Sequence, residues 1–228
     1  MDEKKEKINR AFDLISELDE QFLSNILKMI DPIIFMLLIQ ESMKELDKIK
    51  DEISTRRINN NKLNESGSFE KSNRGGSDLY KSIIEWNNED IEDDYQKESV
   101  LREKIREWKL CVRIHEKPYT HKYTLLKPKE KIEYIRNEVN LKSIYFHFNI
   151  FQIVGPIIYY HLLKEYKFKL KTIEPKINGY SHYANKSTDN ETREYYALKF
   201  KENNEAKKRF ESLFDNVSIE FFNLYNQE

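Results

Sequence analysis

Apolar residues at Ile8, Ala11, Ile15, Leu18, Phe22 and Met29 fall on one stripe of a helix, with Asn25 as the polar exception. The spacing predicts an amphipathic helix over about residues 3–30. Asp31-Pro32 then interrupts it. Aspartate suits an N-cap, and proline suits a first helical position, where its missing N–H has no partner to lose. A second helix is expected to follow and to bury Ile33, Met36, Ile39, Met43, Leu46 and Ile53. Residues 1–53 therefore read as a long N-terminal helical hairpin or one kinked helix.

Residues 54–77 change character, with five Asn, five Ser and three of the five glycines of the chain. Such a stretch has little to bury against its ordering entropy, so it reads as a flexible connector. Helical periodicity resumes at Leu79. The run Ile91, Tyr95, Leu101, Ile105, Trp108 and Val112 forms the stripe of a helix ended by Pro118, and Pro128 opens a shorter helix carrying Ile132, Ile135 and Val139. Residues 78–166 are thus a helical core, although 143–154 fit a strand and a helix equally well. From Lys167 the period shifts towards two, with Phe168, Leu170 and Thr172 alternating with Lys167, Lys169 and Lys171. Tyr195 to Phe200 is another strand candidate, and Val217 to Tyr225 is a strand or a helix. The fold class expected is mainly α, a helical bundle whose small C-terminal part, residues 167–228, contains strands (α+β). The whole is expected to form one compact domain.

Composition narrows the classes. The chain has 228 residues, 29 of them aromatic (14 Tyr, 13 Phe, 2 Trp), which suits a packed core and not a disordered chain. One cysteine excludes a disulfide framework. The start, Met1-Asp2-Glu3-Lys4-Lys5, lacks the apolar run of a secretory signal. Residues 143–163 carry no formal charge, but His147, Asn149, Gln152 and His161 interrupt them, so they read as a buried core segment. Residues 26–39 are richer in apolar side chains but carry Lys28 and Asp31 and are short for a span. A cytoplasmic protein with no membrane association is expected. Richness in Lys, Ile, Asn and Tyr suits an AT-rich bacterial, phage or mobile-element genome, and with it a defence context.

Charge is unevenly spread along the chain. Residues 1–54 carry 8 basic and 13 acidic side chains, whereas residues 111–176 carry 13 and 6. The basic segment sets lysines beside aromatics, the combination that neutralises phosphates and stacks bases. Lys117, Lys122, Lys127, Lys129, Lys167, Lys169 and Lys171 are its candidate binding residues, for a nucleic acid or a partner. The same segment equally suits docking on the acidic N-terminal helices of its own chain.

Catalytic and metal motifs are sparse. Cys111 and His115 share a helix face, and His121 follows, giving at most three of the four ligands zinc prefers. No metal site and no cofactor are expected. Gly67-Ser68 followed by Ser77-Asp78-Leu79-Tyr80 resembles the Gly-Ser…Asp-x-Asp signature of the polymerase-β-like nucleotidyltransferases, but Tyr80 stands where the second aspartate belongs. Tyr195 to Lys208 is similar to a stretch downstream of the core in adenine-specific DNA methyltransferases, whose Asn-Pro-Pro-Tyr motif is absent. The helical ribonucleases of the HEPN class place an Arg four to six residues before a His, and no arginine stands so here. A noncontiguous pair drawn from Arg113 or Arg136 with His115 or His147 remains as the catalytic candidate. The function expected is a non-enzymatic binding or regulatory protein acting through a macromolecule, most readily a protein. The alternative is a ribonuclease or nucleic-acid-processing protein using the 111–176 segment. The heptads also suit a homo-oligomer formed through the N-terminal helices.

Overall fold

The computed structural model describes residues 3–69, 76–112 and 122–225, and these are almost wholly helical. The helices are α1 (Glu3–Ser16), α2 (Glu20–Phe69), α3 (Gly76–Val112), α4 (Lys122–Leu125), α5 (Pro128–Asn140), α6 (Ile144–Lys186) and α7 (Asn190–Tyr225). No strand occurs among the described residues, so the strand-containing C-terminal part is corrected to helix. The reason lies in the longer period. Val154, Ile158, Leu162, Tyr166, Ile173 and Ile177 are all buried, and their spacing continues a helical stripe through the Lys-Phe-Lys-Leu alternation. Phe168, an inward residue of the expected strand, is 62% exposed. In the ambiguous stretch, Phe146, Ile150, Phe151 and Val154 are buried at helical spacing.

Two further differences have local causes. The helix expected over residues 3–30 is broken after Ser16, because Asp19 caps a new one: its Oδ1 accepts the Phe22 N–H at 2.9 Å. Pro32 then lies inside α2, as Pro156 and Pro175 lie inside α6. The break escapes the periodicity because Leu18 and Phe22 keep the phase of the stripe across it. Secondly, α2 runs on to Phe69 through the expected connector. Polar bonds to α3 hold it there. Asn60, nearly buried, donates to Asn88 Oδ1 at 3.0 Å and accepts from Asn87 Nδ2 at 2.7 Å. Arg56 pairs with Asp94, and Arg57 donates to the Tyr95 hydroxyl. Partner numbers fall along α3 as they rise along α2, so the two helices run antiparallel here.

The contacts divide the chain into two compact units, Met1–Ile30 with Pro128–Glu228, and Asp31–Lys127. In the first, α1 packs on α5 and α6, and α6 pairs with α7 along its length. Its core includes Ile8, Phe12, Ile15, Ile135, Ile150 and Leu162, each fully buried. The α6–α7 register is constant: Tyr159 meets Glu220, Tyr166 meets Phe210, Glu174 meets Lys207 and Tyr183 meets Tyr196. Each pair is nearly symmetric about Asp189, which caps α7 in the short turn after Ser187 ends α6. In the second unit, Phe35 and Trp108 are fully buried, and Tyr123 packs edge-on against Phe35 at 5.0 Å while its hydroxyl donates to Asp31 at 2.7 Å.

Candidate macromolecular interface

The sequence-nominated residues do not come together as one site. Arg113, His115, Lys117 and His121 lie outside the described residues. Cys111 is buried, and among the described residues no group of three His, Cys, Asp or Glu could hold a metal ion. His147 is buried in α6. The Arg136 guanidinium is engaged by Asp13 of α1 and, at 3.6 Å, by Glu133. Lys169 reaches Asp19 at 3.7 Å and Glu165 at 3.6 Å. Part of the basic segment therefore complements the acidic N-terminus inside the first unit. Lys122, Lys127, Lys129, Lys167 and Lys171 are exposed.

Of the heptad positions offered for self-association, Ile8, Ala11, Ile15 and Leu18 are buried in the first unit, Phe22 is half-buried and Met29 is exposed. On α2 the face expected to be buried through Met36 and Met43 is open instead, because Ile34, Phe35 and Leu38 take the inward positions. Met29, Met36 and Met43, every methionine of the chain beyond Met1, are exposed at seven-residue spacing. Within α2, Glu20–Ser66 is long and apolar enough to cross a membrane by length and composition, and 39% of its most apolar window is buried in the fold. It contains the 26–39 stretch that looked short for a span when read alone.

A cleft of about 520 Å³ opens between the end of α1, α6 and α7, lined by Leu18, Tyr166, Phe210, Leu213, Glu17 and Arg209. Across it Arg209 pairs with Glu17 at 3.6 Å. Burial, with the Glu17 charge second, pushes the Tyr166 phenol up to about 12. Tyr159 is raised too, first by burial and then by the hydrogen bond it donates to Glu220 at 2.6 Å. Both groups bind their protons more tightly folded than unfolded. Their contribution to stability is complete below about pH 10 and is lost as the pH climbs towards 12 and beyond. Denaturant unfolding across that window is expected to show stability falling, with a shallower fall in Tyr166→Phe. Equal slopes in wild type and variant would show that the Tyr166 proton is not bound more tightly in the fold.

Among the described residues, a dense exposed aromatic group lies at the outer end of the α6–α7 hairpin. Tyr196 on α7 stacks at 29° on Tyr183, centroids 5.3 Å apart, and at 29° on Tyr180, 6.3 Å apart. Tyr195 meets Tyr196 edge-on at 5.4 Å, and His182 meets Tyr183 edge-on at 5.7 Å. The Lys199 ammonium lies 6.0 Å over the Tyr195 ring while binding Glu202 at 2.8 Å, and that hydrogen bond raises its pKa. The turn fixes this arrangement, because Asp189 Oδ2 accepts the Thr192 N–H at 2.9 Å and anchors α7 beside the end of α6. The hydrogen bond from Thr192 holds the Asp189 carboxyl below its usual range.

Set against protein-family models, curated proteins and solved structures, the chain matches none. Tyr183 is 56% exposed and Tyr195 55% exposed, although each is held by a ring neighbour. The signal for this group was present in the sequence, where Tyr180 and Tyr183 mirror Tyr195 and Tyr196 about residue 188. It becomes visible only once 167–228 is read as a helical hairpin.

Proposed function

We propose that the protein is a non-enzymatic binding protein that acts through a macromolecular partner, contacted at the outer end of the α6–α7 hairpin. The observation that carries this reading is the exposed tyrosine stack. Large aromatic side chains concentrate binding energy at interfaces, and rings already held by their neighbours lose little conformational freedom on binding. Rings of this size clustered in water at one helix end, and not scattered singly, favour a contact surface. The nuclease alternative has less support, because Arg136 is engaged by carboxylates and His147 is buried.

The test uses the tagged full-length chain as bait in crosslinked extract of its native host, beside Tyr183→Ala/Tyr195→Ala. Wild type is expected to retain a partner saturably, and the double variant to hold it about tenfold or more weakly with unchanged circular dichroism. Equal retention by both proteins, or no saturable partner for either, overturns the reading.

A further inference from the structure

We infer that the macromolecule taken at the outer α6–α7 hairpin is a single-stranded nucleic acid. This rests on the binding reading above and adds the chemistry of the partner. Residues 164–209, which form the outer hairpin, carry twelve basic and seven acidic side chains in a chain whose net charge is −1. Four of those acids are already engaged: Glu165 by Lys169, Glu174 by Lys207, Glu202 by Lys199, and Asp189 as the cap of α7. On the basic side, Lys167, Lys171, Lys176, Lys186, Lys201 and Lys208 are exposed and pair with no carboxylate among the described residues. Each of those three ion pairs uses one lysine with its acid, so the positive surplus of the hairpin is undiminished by pairing, and the unpaired lysines carry it. It was divided in the sequence, because a boundary at residue 176 separates Lys167, Lys171 and Lys176 from Lys186 and the lysines of α7.

The kind of cation separates the two classes of macromolecule. Protein interfaces are enriched in tyrosine and arginine and depleted in lysine. Here lysines outnumber arginines ten to two, and they share the hairpin with stacked, exposed rings. Single-strand binding needs this pairing, with ammonium groups along a backbone and ring faces for unstacked bases. Phe168, 62% exposed between Lys167 and Lys169, adds a further ring away from the turn. Lys167 and Lys186 are nineteen residues apart on α6, about 28 Å of helix, room for a tract of several nucleotides. A duplex would present its phosphates but keep its base faces stacked away from the tyrosines.

The experiment is fluorescence anisotropy of the full-length protein with labelled poly-deoxythymidine and poly-uridine strands across a salt series, with a duplex of equal length as competitor. Two variants accompany it, Tyr183→Ala/Tyr195→Ala and Lys167→Gln/Lys171→Gln/Lys186→Gln. Wild type is expected to bind the single strands in preference to the duplex, with a log–log salt slope of about −2 to −4. The lysine variant is expected to lose about two from the magnitude of that slope. The tyrosine variant is expected to bind about 10–100-fold more weakly at unchanged slope, as loss of stacking requires. No saturable binding at low salt, preference for the duplex, or indifference to both variants overturns the inference. If those results come while the bait assay still retains a protein through Tyr183 and Tyr195, the binding reading stands with a protein partner. If the bait assay fails as well, both fall.

Discussion

Phe12→Ala is expected to lower the stability of the first unit by about 3–5 kcal/mol, the usual cost of removing a fully buried phenylalanine. The α1 helix has only 14 residues, too few to persist in water by itself, so its structure depends on the face it buries. That face is Ile8, Ala11, Phe12 and Ile15, all fully buried, and α1 packs through α5 and α6. Its charged face adds little. Arg10 pairs with Glu220 and Asp13 with Arg136, but Arg10 is 60% exposed and Asp13 63% exposed, and such pairs are worth about 0–1 kcal/mol. Asp13→Ala therefore serves as the control and is expected to change stability by less than about 1 kcal/mol. Denaturant unfolding combined with amide exchange in α1, α5 and α6 reads the result, since two compact units need not unfold as one. A cost for Phe12→Ala no larger than that of Asp13→Ala would mean that α1 is not part of the packed core.

The same contrast between apolar and polar faces explains what was legible in the sequence. Where the apolar stripe is regular, the pattern carries the structure: Ile8, Ala11 and Ile15 announce α1, and Ile132, Ile135 and Val139 announce α5, whereas on α2, apolar nearly all round, the expected face of Ile33, Met36, Ile39 and Met43 is not the buried one and Ile34, Phe35 and Leu38 are buried instead. Where burial is polar, the pattern is silent. Residues 54–69 have few large apolar side chains, so a local reading leaves them disordered, and only their bonds to residues 87–95 of α3 show what orders them. The alternation from Lys167 to Thr172 misleads for another reason. Six residues sample both periods poorly, whereas the buried row from Val154 to Ile177 spans more than six turns and decides for helix. The proposed surface was half legible. Lys167, Lys169 and Lys171 were visible as charge, but Lys169 is tied to Asp19, and the tyrosines that give the lysines a partner chemistry come together only across the α6–α7 turn.

Asp94→Ala is expected to destabilise the second unit by about 2–3 kcal/mol. Its carboxylate is 4% exposed and binds Arg56, with Lys97 on its other oxygen at 3.0 Å. Removing one member of a fully buried ion pair costs about 3–5 kcal/mol because a charge is left without compensation. Arg56 keeps the Asp90 carboxylate at 3.5 Å and, 29% exposed, can take back some hydration, which lowers the expected cost. The reverse substitution tests that account. Arg56→Ala leaves Asp94 with Lys97 and is expected to cost less, and the double variant is expected to match Asp94→Ala alone, a coupling that marks direct contact. Local consequences follow from position. Asp94 lies in the rung next to Asn60, Asn87 and Asn88, and together these hold an α2 segment that has almost no apolar burial beyond Ile53. Amides of residues 54–66 are therefore expected to exchange faster in Asp94→Ala, with those around the fully buried Ile34 and Leu38 affected least. Unchanged exchange at 54–66 would assign the order of that segment to intrinsic helix propensity, and the polar bonds between α2 and α3 would then be its consequence instead of its cause.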